Sequence, residues 1–303
     1  VLGGARSLTL RSSRHVTSLA DPILTKEKIV PYFTTSEGIE LYYTDNGAGQ
    51  PIVFSHGWPL SSDAWQVELK VFADAGYRTI AHDRRGHGRS AKTSTGNDID
   101  TYARDLAELI EHLDLHDLVI WGHSTGGGEA VRYAAQYANG RVAKVVTAGA
   151  VPPVMLRSEK NPEGSPIEVF DDIRAGVLKD ASQFWIDLAE GPFYGANRPG
   201  SSVSEGAKRD FWRQGALVNL AAAYDCVKAF SETEQFDDLK ALDVPIYIAH
   251  GSDDQIVPIA GAAEQSIKLV KHGTLKVYEG APHGIYGDYQ DELIKDVLAF
   301  IKA

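Results

Sequence analysis

The chain reads as an α/β protein, a mostly parallel eight-stranded sheet with helices on both faces and an inserted helical lid. Three observations predict it. Short apolar runs alternate with longer stretches of helical periodicity. That alternation is interrupted once, between about residues 152 and 240. A Gly-x-Ser-x-Gly turn sits where one apolar run passes into a helical pattern.

In chain order, Glu37-Gly38 separates the Phe33 region from the run Ile39 to Thr44, which predicts an antiparallel hairpin at the sheet edge. Six buried strands follow, at Ile52-Val53-Phe54, Thr79-Ile80-Ala81, Leu118 to Trp121, Val142 to Ala148, Ile246 to Ala249 and Leu275 to Tyr278. Between two of them Tyr102, Leu106, Leu109, Ile110 and Leu113 recur at helical spacing, with Asp105, Glu108 and Glu111 expected on the solvated face. Pro152-Pro153 opens the interruption, which lacks a buried strand pattern and is expected to form the lid. Its rings, Phe170, Phe184, Trp185, Phe193, Tyr194, Phe211, Trp212 and Tyr224, either roof an apolar pocket or pack the lid onto the sheet domain.

The packed domain is expected to span Pro31 to Ala303. Residues 1–30 form an N-terminal extension. Arg6, Arg11, Arg14 and several serines precede the first acidic residue, Asp21, a composition shared by organelle-targeting peptides and unstructured extensions. The net charge of −11 repels phosphate backbones and anionic lipid, which argues against nucleic acid and favours a neutral or weakly polar small molecule. No apolar run reaches the length of a membrane span. The single cysteine, Cys226, cannot close an intrachain disulfide and follows the apolar-rich stretch Ala221 to Tyr224, so it reads as a buried structural thiol. The cytoplasm is the expected compartment, with organelle targeting by residues 1–30 as the alternative. Oligomeric state, including a homo-oligomer, is left open.

The chemistry concentrates in three loops. Gly122-His123-Ser124-Thr125-Gly126 lies between the strand ending at Trp121 and a helical pattern through Ala130, Tyr133, Ala134 and Tyr137. A serine in such a strand–turn–helix is held in a strained backbone with its hydroxyl exposed, and small flanking residues let helix and strand approach. Ser124 is the expected nucleophile. Thr125 N–H, at the start of the helix, is one expected oxyanion donor. The second is the backbone N–H of Trp58 in His56-Gly57-Trp58-Pro59, a loop stiffened by proline.

A serine needs a base in the correct tautomer, and the chain order nucleophile, acid, histidine is met by Asp254 and by His283 in Gly280-Ala281-Pro282-His283-Gly284. Asp253 is the rival acid. His82, His87, His123, His250 and His272 read as hydrogen-bonded structural groups without metal-ligand spacing, so no metal is expected. His82 to Ser90 lacks the ending of a phosphate loop and reads as a charge-paired structural loop.

At these residues the chain resembles the cofactor-free (non-haem) chloroperoxidases, also called bacterial perhydrolases or arylesterases, of the α/β-hydrolase superfamily. The resemblance covers Pro31 to Ala303 and rests on Phe33 to Ser36, His56 to Leu60, the Asp83 to Ser90 loop, Gly122 to Glu129 and Val151-Pro152-Pro153. It continues through Pro166 to Gly176, Pro192 to Gly195, Ala223 to Cys226, the Asp254 loop and Ala281 to Gly284. It implies a serine esterase that uses water or hydrogen peroxide on its acyl-enzyme, making a peracid that oxidises halide, with no haem, metal or flavin. The stretch Ile285-Tyr286-Gly287-Asp288-Tyr289 departs from the family in its aromatic character, which bears on pocket width.

The reading is therefore acyl transfer by Ser124, His283 and Asp254 on a small ester or carboxylic acid, with no cofactor. Dehalogenases and epoxide hydrolases of the superfamily place a carboxylate where this chain has Ser124. A carbon–carbon bond hydrolase with the same triad, and a low-turnover small-molecule receptor, are the alternatives.

Overall fold

The computed structural model describes residues 31–285 and 287–303; the expected N-terminal extension and its targeting reading lie outside them. The strands are β1 (Tyr32–Thr34), β2 (Glu40–Gly47), β3 (Pro51–Ser55), β4 (Arg78–His82), β5 (Leu118–His123), β6 (Val142–Ala148), β7 (Ile246–Gly251) and β8 (Gly273–Tyr278). They form one sheet in the order β1-β2-β4-β3-β5-β6-β7-β8. The β1–β2 and β2–β4 pairings are antiparallel, and all the rest are parallel. The predicted edge hairpin and the six further strands are all present, but only five of the six lie inside the sheet: β8 forms its other edge, and of that strand only Tyr278 is buried.

A parallel sheet needs both faces covered, and the side chains alternate accordingly. On β5, Leu118 and Ile120 enter the core on one face with Leu106, Leu109 and Ile110 of α2 (Ile99–His112) and Ala130 and Val131 of α3 (Thr125–Gln136). Val119 and Trp121 enter the opposite core with Leu69 and Phe72 of helix α1 (Gln66–Asp74) and Val297 and Ile301 of α9 (Asp288–Lys302). Trp121 is fully buried, with ring centroids 5.4 to 5.6 Å from those of Phe54, Trp65 and Phe72. Trp121→Ala is expected to lower stability by about 3–5 kcal/mol in denaturant unfolding, because the void cannot collapse between two sheet neighbours and a helix.

Helix α2 begins where the Asp98 carboxylate accepts the Thr101 N–H at 2.9 Å. Asp105 is not solvated but buried, with both oxygens 2.6 Å from the Arg85 guanidinium. Its position next to the apolar stripe faces the loop after β4, which sequence periodicity does not display.

The lid holds α4 (Ile167–Glu190, broken by non-helical backbone at Asp180), α5 (Glu205–Gly215), α6 (Leu220–Glu232) and α7 (Phe236–Ala241). No strand occurs among its described residues. The chain then returns through β7, the short α8 (Ala263–Ser266) and β8.

Buried histidines set an acid limit on this fold. His56 and His87 are fully enclosed, and burial followed by the Arg84 charge pushes both below the ordinary histidine range, His87 to about 3. Below about pH 6.5 the unfolded chain binds protons on them that the folded chain refuses, so stability rises with pH across that window. Their contribution is fully present above about pH 6.5 and is lost as pH falls toward the folded values, by up to about 1.4 kcal/mol per pH unit for each histidine. Calorimetry at stepped pH should show Tm falling from about pH 6.5 downward; a flat Tm to pH 4 would contradict this.

Candidate active site

The turn between β5 and α3 has the geometry a nucleophile requires. Ser124 has φ 54° and ψ −121°, a conformation that L-residues hold only under constraint. Its N–H donates to the Ala148 carbonyl (3.0 Å), and its carbonyl accepts the Gly127 N–H (2.9 Å). The flanking glycines are required sterically. A Cβ at Gly122 would stand 2.1 Å from the Gly126 carbonyl oxygen, and one at Gly126 would stand 2.1 Å from that of Ser55.

Asp254 and His283 leave the carboxyl ends of β7 and β8 and meet, with His283 Nδ1 donating to Asp254 Oδ2 at 2.8 Å. Asp254 Oδ1 accepts the Ile256 and Val257 N–H groups at 3.0 and 2.8 Å. Burial alone would raise this carboxyl, but the His283 charge and hydrogen bonds from His250 and His283 outweigh it and hold it well below the usual range. Asp253, the rival acid, instead makes a bidentate pair with Arg198 of the lid, at 2.8 and 2.7 Å. The Ser124 hydroxyl makes no hydrogen bond among the described residues, His283 included, and such contacts commonly close only around substrate.

Two histidines read as structural lie in this centre. His250 Nε2 stands 2.8 Å from the Val257 carbonyl and 3.2 Å from Asp254 Oδ2. His123 donates its Nε2–H to the His283 carbonyl at 3.0 Å, with the two rings 4.8 Å apart. Burial and the His283 charge lower His123 to about 3, so it is neutral. Its place beside Ser124, and that of His250 four residues before Asp254, was the available sequence signal.

Neither the Thr125 nor the Trp58 N–H meets a protein acceptor among the described residues. The Trp58 ring is packed rather than open, between Trp185 and Phe230 (5.0 and 5.4 Å), and its Nε1–H donates to the Ala223 carbonyl.

A family model described as the alpha/beta hydrolase fold matches residues 50–288. The chain belongs to the alpha/beta hydrolase family. This hydrolase is 54% identical over 274 residues to a non-heme haloperoxidase of Rhodococcus erythropolis, covering 90% of this chain and 100% of that one. It is 47% identical over 274 residues to a bifunctional esterase/perhydrolase of Acinetobacter calcoaceticus, covering 90% and 99%. A bromoperoxidase from Bacillus anthracis superposes with a TM-score of 0.84 at 36% identity, covering 88% of this chain and 96% of that one. The expected fold and family resemblance are met.

The lid of this hydrolase closes over His283 through Phe193, whose ring centroid is 5.3 Å away and whose carbonyl accepts the Gly284 N–H at 2.7 Å. A cleft of about 330 Å³ adjoins, bordered by Gly57, His123, Phe193, Tyr194 and Gly284. A larger groove of about 770 Å³ near Arg132 and Lys160 touches none of the candidate site residues and reflects surface relief between charged side chains. Of the eight lid rings singled out from the sequence, Phe170, Trp185, Phe193 and Phe211 are buried. Trp212 is 39% exposed and bonds Ser182 Oγ, and Tyr224 lines a separate outer groove, so neither roofs the site. Tyr286 lies outside the described residues, while Ile285 of the same stretch is buried and lines the cleft. No described helix is long and apolar enough to cross a membrane.

Proposed function

We propose that this chain is a serine-dependent carboxylic ester hydrolase of arylesterase type whose acyl-enzyme passes its acyl group to water or to hydrogen peroxide. The observation that carries the reading is the Asp254–His283 pair at 2.8 Å on loops at the sheet edge where Ser124 sits in its strained turn. Asp254 holds the proton of His283 on Nδ1, leaving Nε2 free to take one from Ser124. Ser124 Oγ attacks the ester carbonyl, and the Trp58 and Thr125 N–H groups hold the oxyanion. His283 then returns the proton to the departing alcohol. In the second half, His283 deprotonates water or peroxide, the new C–O bond forms, the bond to Ser124 Oγ breaks, and the product is an acid or a peracid.

The haloperoxidase and esterase/perhydrolase names of the relatives support peroxide as an acceptor; the peracid would oxidise halide in solution. A reducing compartment such as the cytoplasm suits the buried thiol of Cys226, which burial pushes up to about 11. With p-nitrophenyl acetate, rising hydrogen peroxide is expected to yield peracetic acid at the expense of acetate. Acetate alone at every peroxide concentration would restrict the acceptor to water. Prior dialysis against a chelator is expected to leave the rate unchanged, since every step uses side chains and amides of the chain; a chelator-sensitive rate would overturn that sequence of steps.

A further inference from the structure

The peptide joining Gly57 to Trp58 is trans, so its carbonyl and its N–H point in opposite directions. Whatever holds the Gly57 carbonyl therefore aims the Trp58 N–H. That carbonyl accepts two hydrogen bonds at 2.9 Å, one from the Leu60 N–H and one from His56 Nδ1. His56 Nε2 accepts the Arg84 N–H at 3.0 Å, which leaves the ring proton on Nδ1 and fixes the tautomer that bonds Gly57.

Arg84 reaches further in both directions. Its Nη2 donates to the His56 carbonyl at 2.5 Å, and its Nε donates to Glu129 Oε2 at 2.8 Å. Glu129 also accepts the Ser55 hydroxyl at 2.5 Å, and its Oε1 lies 3.0 Å from His82 Nε2. Ser55, His56, His82, Arg84 and Glu129 are all at or below 1% exposure. Burying such a charged pair is costly, and apolar packing would serve stability as well, so its worth lies in what it orients. Glu129 stands one helical turn after Thr125 on α3, so the helix that presents one oxyanion donor also anchors the loop that presents the other.

We propose that Glu129, Arg84 and His56 are positioning residues, forming a buried relay from α3 to the Gly57 carbonyl that keeps the Trp58 N–H turned toward the oxyanion. This rests on the serine-esterase reading above, with Trp58 and Thr125 as donors.

The relay is tested with His56→Asn, His56→Gln and Glu129→Gln beside the parent protein. The readouts are kcat and KM for p-nitrophenyl acetate, Ki for a trifluoromethyl ketone that forms an oxyanionic adduct, and Tm. The Asn amide nitrogen falls where Nδ1 stood, whereas the Gln amide falls at Nε2. His56→Gln is expected to lose about 10²–10³-fold in kcat, with KM within about threefold and Ki rising in parallel, as for loss of an oxyanion donor. His56→Asn should recover at least about tenfold of that loss, and Glu129→Gln should lose about tenfold in kcat. Should Glu129→Gln fail to fold, the two His56 variants decide. Equal losses in those two, or a change in KM with kcat intact, overturn the relay. A parent protein that the ketone does not inhibit overturns instead the serine reading beneath it.

Discussion

Ser124→Ala is expected to lower kcat for p-nitrophenyl acetate by about 10⁵–10⁶-fold and to abolish the initial burst of p-nitrophenol, with KM and Tm close to those of the parent. The size follows from covalent catalysis: without Oγ no acyl-enzyme forms, and what remains is whatever the oxyanion donors and binding alone supply. Alanine inherits the same backbone, φ 54° and ψ −121°, so the turn should be neither relieved nor further strained. Ser124→Gly is an internal control. It removes the same hydroxyl but relaxes the conformation, and should be more stable than Ser124→Ala by about 1 kcal/mol in denaturant unfolding. Turnover that survives in Ser124→Ala would sink the acyl-enzyme route and bring a binding function forward.

Asp254→Asn is expected to cost about 10⁴-fold in kcat, whereas Asp253→Asn should stay within a few-fold. The hydrogen bonds explain why so small a change matters. Asp254 Oδ1 faces two backbone donors, Ile256 N–H and Val257 N–H, and an asparagine must keep its oxygen there. Its amide nitrogen then faces His283 Nδ1, which has to become an acceptor and send its proton to Nε2. In that tautomer the imidazole cannot take the Ser124 proton, and the charge that steadies the imidazolium is also gone. Asp253 lies on the outer side of the loop and spends both oxygens on Arg198, so its amide variant loses only a half-exposed ion pair to the lid. If Asp253→Asn were the damaging substitution, the acid assignment would be reversed.

The Asp253 and Asp254 pair marks where the sequence stopped being legible. Both are carboxylates on one loop after one strand, and neither spacing nor composition separates them. Their difference is set by what crosses the loop from elsewhere: His283, 29 residues away, on one side and Arg198, 55 residues away, on the other. Asp105 failed for the same reason. It sits at a polar position of an amphipathic helix, and only the arrival of Arg85 from the loop after β4 makes burial of that carboxylate tolerable. The His82 to Ser90 loop was legible as charge-paired, yet its partner Glu129 lies 45 residues from Arg84, on the helix that follows Ser124.

By itself the sequence determined the strand set, the interruption that became the lid, the strained turn at Ser124 and the short slate of candidate groups. Each is a local demand: a short continuous apolar run buried on both faces of the sheet, the loss of that pattern in the lid, or a backbone angle and a close approach that only glycine permits at 122 and 126. The tertiary structure alone decided which charges are partnered and which carbonyls are held. Asp254 was thereby joined to His283, His123 and His250 were drawn into the centre, and Glu129 was linked through Arg84 and His56 to the Gly57 carbonyl. The reason is one of range. Backbone preference and periodicity act over a few residues, whereas the electrostatics of a buried group are set by whichever distant segments the fold brings within about 3 Å of it.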